Sequence, residues 1–114
     1  MKIEYSNRQK EAIVSLLIEM VNADRKVTLE ELHETNVINA ELVITDDIFR
    51  VGRALGLPYA IEVVREMTDE QKLDVGHILT RIIDVDGVDD DEINLLNYIC
   101  VETGIDKLLA DIEL

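Results

Sequence analysis

The residues of this chain that could do chemistry are its carboxylates. Asp84, Asp86, Asp89, Asp90, Asp91 and Glu92 put six acids into nine residues with no base among them. Crowded carboxylates repel, and a hard divalent cation with oxygen ligands relieves that repulsion. Helix capping is the plainer alternative. Asp89 to Glu92 fall where a helix would begin, and there the dipole already favours anions by about 0.3–1 kcal/mol each. Glu31 and Glu92 each stand three residues after a capping position, Thr28 and Asp89, so both have a structural job before any metal is invoked. One familiar calcium loop is excluded. Asp84-x-Asp86-Gly87 looks like the opening of an EF-hand, but that loop needs an oxygen ligand fifth, Gly sixth and Glu twelfth. Those places hold Val88, Asp89 and Leu95.

Other reactive side chains reduce to structure. Glu30-x-x-His33 and Asp74-x-x-His77 match the spacing of di-iron carboxylate bundles, but those need four long helices with further inward Glu residues. His33 follows a capping position and is expected to face solvent, while His77 adjoins an apolar stripe. Cys100 lies at helical spacing from Leu96 and reads as a core residue, since no base stands beside it to activate a thiol. Phe49, Tyr59 and Tyr98 are too scattered for a cofactor box, and no P-loop, GxGxxG or GxSxG occurs. The expectation is a protein without enzymatic activity.

Helices must position these groups, and their starts are clearly written. Ser6-x-x-Gln9, Thr28-x-x-Glu31, Thr68-x-x-Gln71 and Asp89-x-x-Glu92 match a capping box or its close relative. Val27 and Val88 precede two of the caps, at the place of a hydrophobic staple. Ile13, Leu16, Leu17, Met20 and Val21 form one apolar stripe at helical spacing, and Leu73, Gly76, Leu79, Ile82 and Ile83 form another. Ile93, Leu96, Ile99, Cys100 and Thr103 line a third face that ends at Gly104. Thr28 predicts a helix to about Ala40, and Thr45-Asp46-Asp47 another through Leu55, closed by Gly56. Pro58 opens one to about Met67, and Ile105 to Glu113 makes the last. Glu41 to Thr45 is β-branched enough for a strand, yet a lone strand has no partner. The expected fold is all-α, with about seven helices in one compact bundle.

The chain also repeats itself. Ser6 to Lys10 lies over Thr68 to Lys72, which brings Leu17 onto Leu79, Met20 onto Ile82 and Asp24 onto Asp86. Past that Asp the second copy is one residue shorter, and Val27 to Glu31 lies over Val88 to Glu92. A single duplication of a helical hairpin, about 6–40 and 68–103 within one domain of residues 1–114, accounts for the match. Chance likeness between two amphipathic hairpins competes with it.

The two segments Leu17-Ile-Glu-Met-Val-Asn-Ala-Asp24-Arg-Lys-Val27-Thr-Leu-Glu-Glu31 and Leu79-Thr-Arg-Ile-Ile-Asp-Val-Asp86-Gly87-Val88-Asp-Asp-Asp-Glu92 carry a resemblance. Each has a helix running into an Asp loop, a small apolar residue, and an acidic helix start with Glu. In this the chain resembles the TerB-like (tellurite-resistance protein B-like) domains, an all-helical family built from two similar halves. The resemblance covers most of residues 6–103. It implies a link to chemical-stress responses and a divalent metal held by paired acids, which by position are Asp24 and Glu31 in one half and Asp86 and Glu92 in the other. Arg25-Lys26 stands where the family has Gly, so the second half is the better candidate for a metal.

Composition sets the outer limits. The 114 residues carry 11 basic and 25 acidic side chains, a formal charge of −14, with 47% hydrophobic residues. Residues 58–114 hold 15 acids and 4 bases, against 10 and 7 in residues 1–57. Such a polyanion is a poor nucleic-acid binder, because neutralising phosphates needs clustered Lys and Arg. Anionic membrane surfaces repel it too. One Cys permits no internal disulfide. The polar Met1–Glu11 does not read as a signal peptide, and Ala12–Ile18 is too short to span a bilayer, so a cytosolic setting is expected. Two functions remain. One is a module that binds a divalent cation (Ca²⁺, Mg²⁺ or Mn²⁺) and a protein partner. The other is a metal-free surface on which Asp84, Asp89, Asp90 and Asp91 meet a basic partner. Spacing does not give the oligomeric state.

Overall fold

A computed structural model describes residues 3–23, 26–85 and 89–113. Its elements are α1 (Asn7–Asn22), α2 (Leu29–Glu41), α3 (Asp46–Leu55), α4 (Leu57–Arg65), α5 (Asp69–Asp84), α6 (Asp90–Thr103) and α7 (Ile105–Glu113). The fold is all-α, with no strand among the described residues.

The starts follow the capping chemistry. Ser6, Thr28 and Thr68 each accept from the N–H three residues on, and Gln9, Glu31 and Gln71 each reach back to the cap's own N–H. Thr45 caps α3 by accepting from Ile48 N. Asp89 accepts from the N–H groups of both Asp91 and Glu92. Pro58 lies in the first turn of α4, where its missing N–H costs nothing.

Helix α1 is the centre. Ala12, Ile13, Val14, Leu16 and Leu17 are all 0–1% exposed, so the middle of α1 is buried all round, as a helix enclosed by others must be. It packs against α2, α3, α4, α5 and α6. The closest crossing is at Gly52 of α3, where an added Cβ would lie 2.7 Å from Val14 Cβ and 2.8 Å from the Glu11 carbonyl oxygen. Only a glycine lets the two backbones approach so far.

Three details complete or correct the expectations. Glu41 to Thr45 forms no strand, as the want of a partner strand implied: α2 runs to Glu41 and the chain then turns. Val43 N–H donates to Ala40 O and Ile44 N–H to Asn39 O, the paired bonds of a Schellman closure. That closure places a valine at φ +56°, where glycine is the usual occupant. On α5 the buried face is Val75, Ile78, Leu79, Ile82 and Ile83. Leu73 and Gly76 are only half-buried and flank α7's Ile105, with Gly76 close to its side chain. The stripe is therefore rotated, because α5 serves two neighbours. His77, placed beside that stripe, is exposed.

The starts of the two long helices meet. Gln71 Nε2 donates to Gln9 Oε1 at 3.1 Å, and Gln9 Nε2 approaches Gln71 Oε1 at 3.4 Å. These two residues are aligned in the expected repeat, and the helices they begin are 16 residues each.

Candidate functional site

Capping chemistry determines how the two glutamates are held. Both occupy the third position of their helices, α2 and α6, and both turn inward. Glu31 is 0% exposed and Glu92 2%. Each heads the core-facing stripe of its helix, Glu31 ahead of Ile38 and Glu92 ahead of Ile99 and Thr103, so the helical repeat carries the carboxylate into the interior.

Glu31 is held on one side only. Its Oε1 accepts from Thr28 N at 3.1 Å and from Thr28 Oγ1 at 3.2 Å, while its N–H donates to Thr28 Oγ1 at 3.1 Å. The other oxygen, Oε2, is buried without a hydrogen-bond partner. A buried acceptor without a donor costs about 1–3 kcal/mol, more when it is charged, so such atoms call for a counterpart. Oxygen ligands with spare lone pairs are what a hard divalent cation takes.

The other acids divide between two settings. Asp84, Asp90 and Asp91 are exposed and Asp89 is half-buried by its cap. Asp24 and Asp86, the other members of the expected metal set, lie outside the described residues, as does Val88. Among the described residues no three His, Cys, Asp or Glu side chains converge as a metal cluster. The histidine motifs do not assemble either. His33, His77 and Glu30 are exposed, and Asp74 instead accepts from the Tyr5 hydroxyl.

Polar links of another kind hold α2 in place. Arg81 of α5 donates from Nε to Glu34 and from a terminal nitrogen to Glu41, both at 2.7 Å. Burial, followed by Asp74, raises the Tyr5 hydroxyl above the ordinary tyrosine value. Burial, with a smaller push from Asp106, likewise raises the Cys100 thiol. That is the opposite of what an activated nucleophile needs.

Sequence reasoning located Glu31 and Glu92 as capping residues and as members of the implied metal set, but did not place them in the core. Their seven-residue spacing from Ile38 and Ile99 was the available signal that both face the core.

No family model matches the chain, and no curated protein sequence matches it. Among solved structures it is similar to the crystal structure of a protein of unknown function from Porphyromonas gingivalis. The TM-score is 0.77 at 23% identity, over 91% of this chain and 83% of that chain. At that identity the likeness speaks for the helical fold.

Proposed function

We propose that this chain is a non-enzymatic, TerB-like acidic module that binds a divalent cation, Ca²⁺, Mg²⁺ or Mn²⁺, and serves as an interaction domain in the cytosol, with a place in stress response. The supporting observation is the Glu31 carboxylate, buried with one oxygen fastened to its cap and the other lacking a donor. Thr28 positions the group: its N–H and hydroxyl fix Oε1, which sets the direction in which Oε2 can bond. Glu92 is likewise buried at the third position of its helix, α6. Asp24 and Asp86 complete the proposed set by sequence position. A bound cation would supply the missing charge compensation, and because it binds only the folded chain it would stabilise by mass action.

Thermal melts test this. Ca²⁺, Mg²⁺ or Mn²⁺ at about a hundred times its dissociation constant adds roughly 2.7 kcal/mol, which is several degrees in a domain of this size. Glu31→Gln is expected to remove most of that rise. A rise no larger than an ionic-strength control gives would overturn the reading.

The exposed carboxylates of Asp84, Asp90 and Asp91 favour the second reading, a metal-free anionic face for a basic partner. Salt-sensitive binding of poly-lysine that Asp90→Lys and Asp91→Lys abolish, with no specific cation effect on melting, would select it.

A further inference from the structure

The row of α2 that Glu31 heads continues through Thr35, Ile38 and Leu42 at helical spacing, so only half of it is apolar. Of its 13 residues α2 buries two, Glu31 and Ile38, where α1 buries eight of 16 and α5 five of 16. Its leucines, Leu29 and Leu32, are 81% and 46% exposed. Open clefts flank it on both sides. One of about 300 Å³ separates Ile38 and Leu42 from Asp74 and Ile78 of α5. Another of about 240 Å³ separates Leu32 and Asn39 from Leu17 and Val21 of α1. Docking also leaves two oxygens of α2 buried without a donor, Glu31 Oε2 and Asn39 Oδ1, and water would satisfy both if the helix lifted.

What holds α2 down, apart from Ile38, is polar and lies outside the core. Arg81 of α5 forks across to Glu34 and Glu41, 2.7 Å from each, and so spans two turns of the helix. The turn that closes α2 keeps Val43 at φ +56°, a conformation from which a valine gains by leaving. An element with so few buried apolar contacts belongs to the low-stability end of a fold and opens before the rest. We propose that α2 is a gate: it swings off α1 and α5 as a unit while both stay folded, and the Arg81 fork is its latch. The consequence for Glu31 is direct. A carboxylate that is 0% exposed is reached by an ion only when the helix that carries it lifts. The motion follows from the packing alone, whereas what it admits rests on the cation reading above.

Hydrogen exchange of the full chain, first in cation-free buffer, tests the gate. Relative to their intrinsic rates, amides of residues 32–39 are expected to exchange at least about tenfold faster than those of residues 13–17 and 78–82. Arg81→Gln should speed the α2 amides by about a further tenfold and leave α1 and α5 within about threefold. Arg81→Lys keeps the charge but cannot fork to both glutamates, so it should fall between the two. Should Arg81→Gln unfold, Glu34→Ala with Glu41→Ala removes the same bonds from the α2 side, keeps that helix helix-prone and decides the matter. Exchange of α2 at the rate of α1 and α5, or an Arg81→Gln effect spread equally over all three helices, would overturn the proposal. Saturating Mn²⁺ is expected to slow α2 selectively against an ionic-strength control. Amides of α2 that open ahead of the others yet ignore Mn²⁺ would contradict the cation reading and leave the gate standing.

Discussion

Tyr5 stands just before α1 and donates its hydroxyl proton to Asp74 of α5. The folded chain favours the neutral phenol, since its value is raised above the 10.0 of a free tyrosine. The bond's stabilisation is therefore fully present below pH 10 and is lost as pH rises beyond it, because the unfolded chain ionises first. Urea unfolding of Tyr5→Phe should show a loss of about 1 kcal/mol near neutral pH, and the gap to wild type should narrow above pH 10. A gap that widens there would contradict the assignment. Val43 makes the opposite case, a residue that opposes its own conformation. A valine at φ +56° carries a Cβ clash that glycine lacks, worth about 1–2 kcal/mol. Val43 is 61% exposed and buries little to offset it. Val43→Gly should raise stability by about 1 kcal/mol in denaturant unfolding. A loss would mean the Schellman turn is not where α2 ends.

Among the helices, the α1–α3 crossing is the most demanding contact. Gly52→Ala gains about 1 kcal/mol of helix propensity, but its Cβ would press on Val14 and the Glu11 carbonyl at under 3 Å. Backbone does not yield easily, so overpacking of about 1–3 kcal/mol is expected to win. The melting temperature should fall by several degrees, and a rise would contradict the close approach. This glycine was not legible in the sequence, where Gly52 is simply one helical residue among others. Helix starts were legible because a cap is a local contract: Ser6 and Gln9, or Thr68 and Gln71, need nothing from the rest of the chain. Gly56 and Gly104, both at positive φ, were legible as helix ends for the same reason. The β-branched Glu41–Thr45 segment was rightly read as no strand for want of a partner, but the Schellman turn that ends α2 there and the Arg81 link to Glu41 were not legible, because both depend on contacts made only in the fold. Likewise the α5 stripe was read a turn-fraction off. Periodicity describes one face, and α5 has neighbours on two.

Over the whole molecule, the starts of α1 and α5 meet at Gln9 and Gln71, and the starts of α2 and α6 each send one glutamate inward, Glu31 and Glu92. An all-apolar choice at both places would have been easier to bury, so two buried acids in a −14 chain ask for a function. Cation binding is the one argued above, and it separates sharply from diffuse counter-ion attraction to the acidic surface. Paramagnetic broadening by substoichiometric Mn²⁺ in amide spectra distinguishes the two most directly. The account predicts that signals around Thr28–Leu32 and Glu92–Ile93 vanish first, and that Glu31→Gln restores those of α2. Broadening confined to the exposed Asp90 and Asp91 surface, with the Glu31 region untouched, would contradict it.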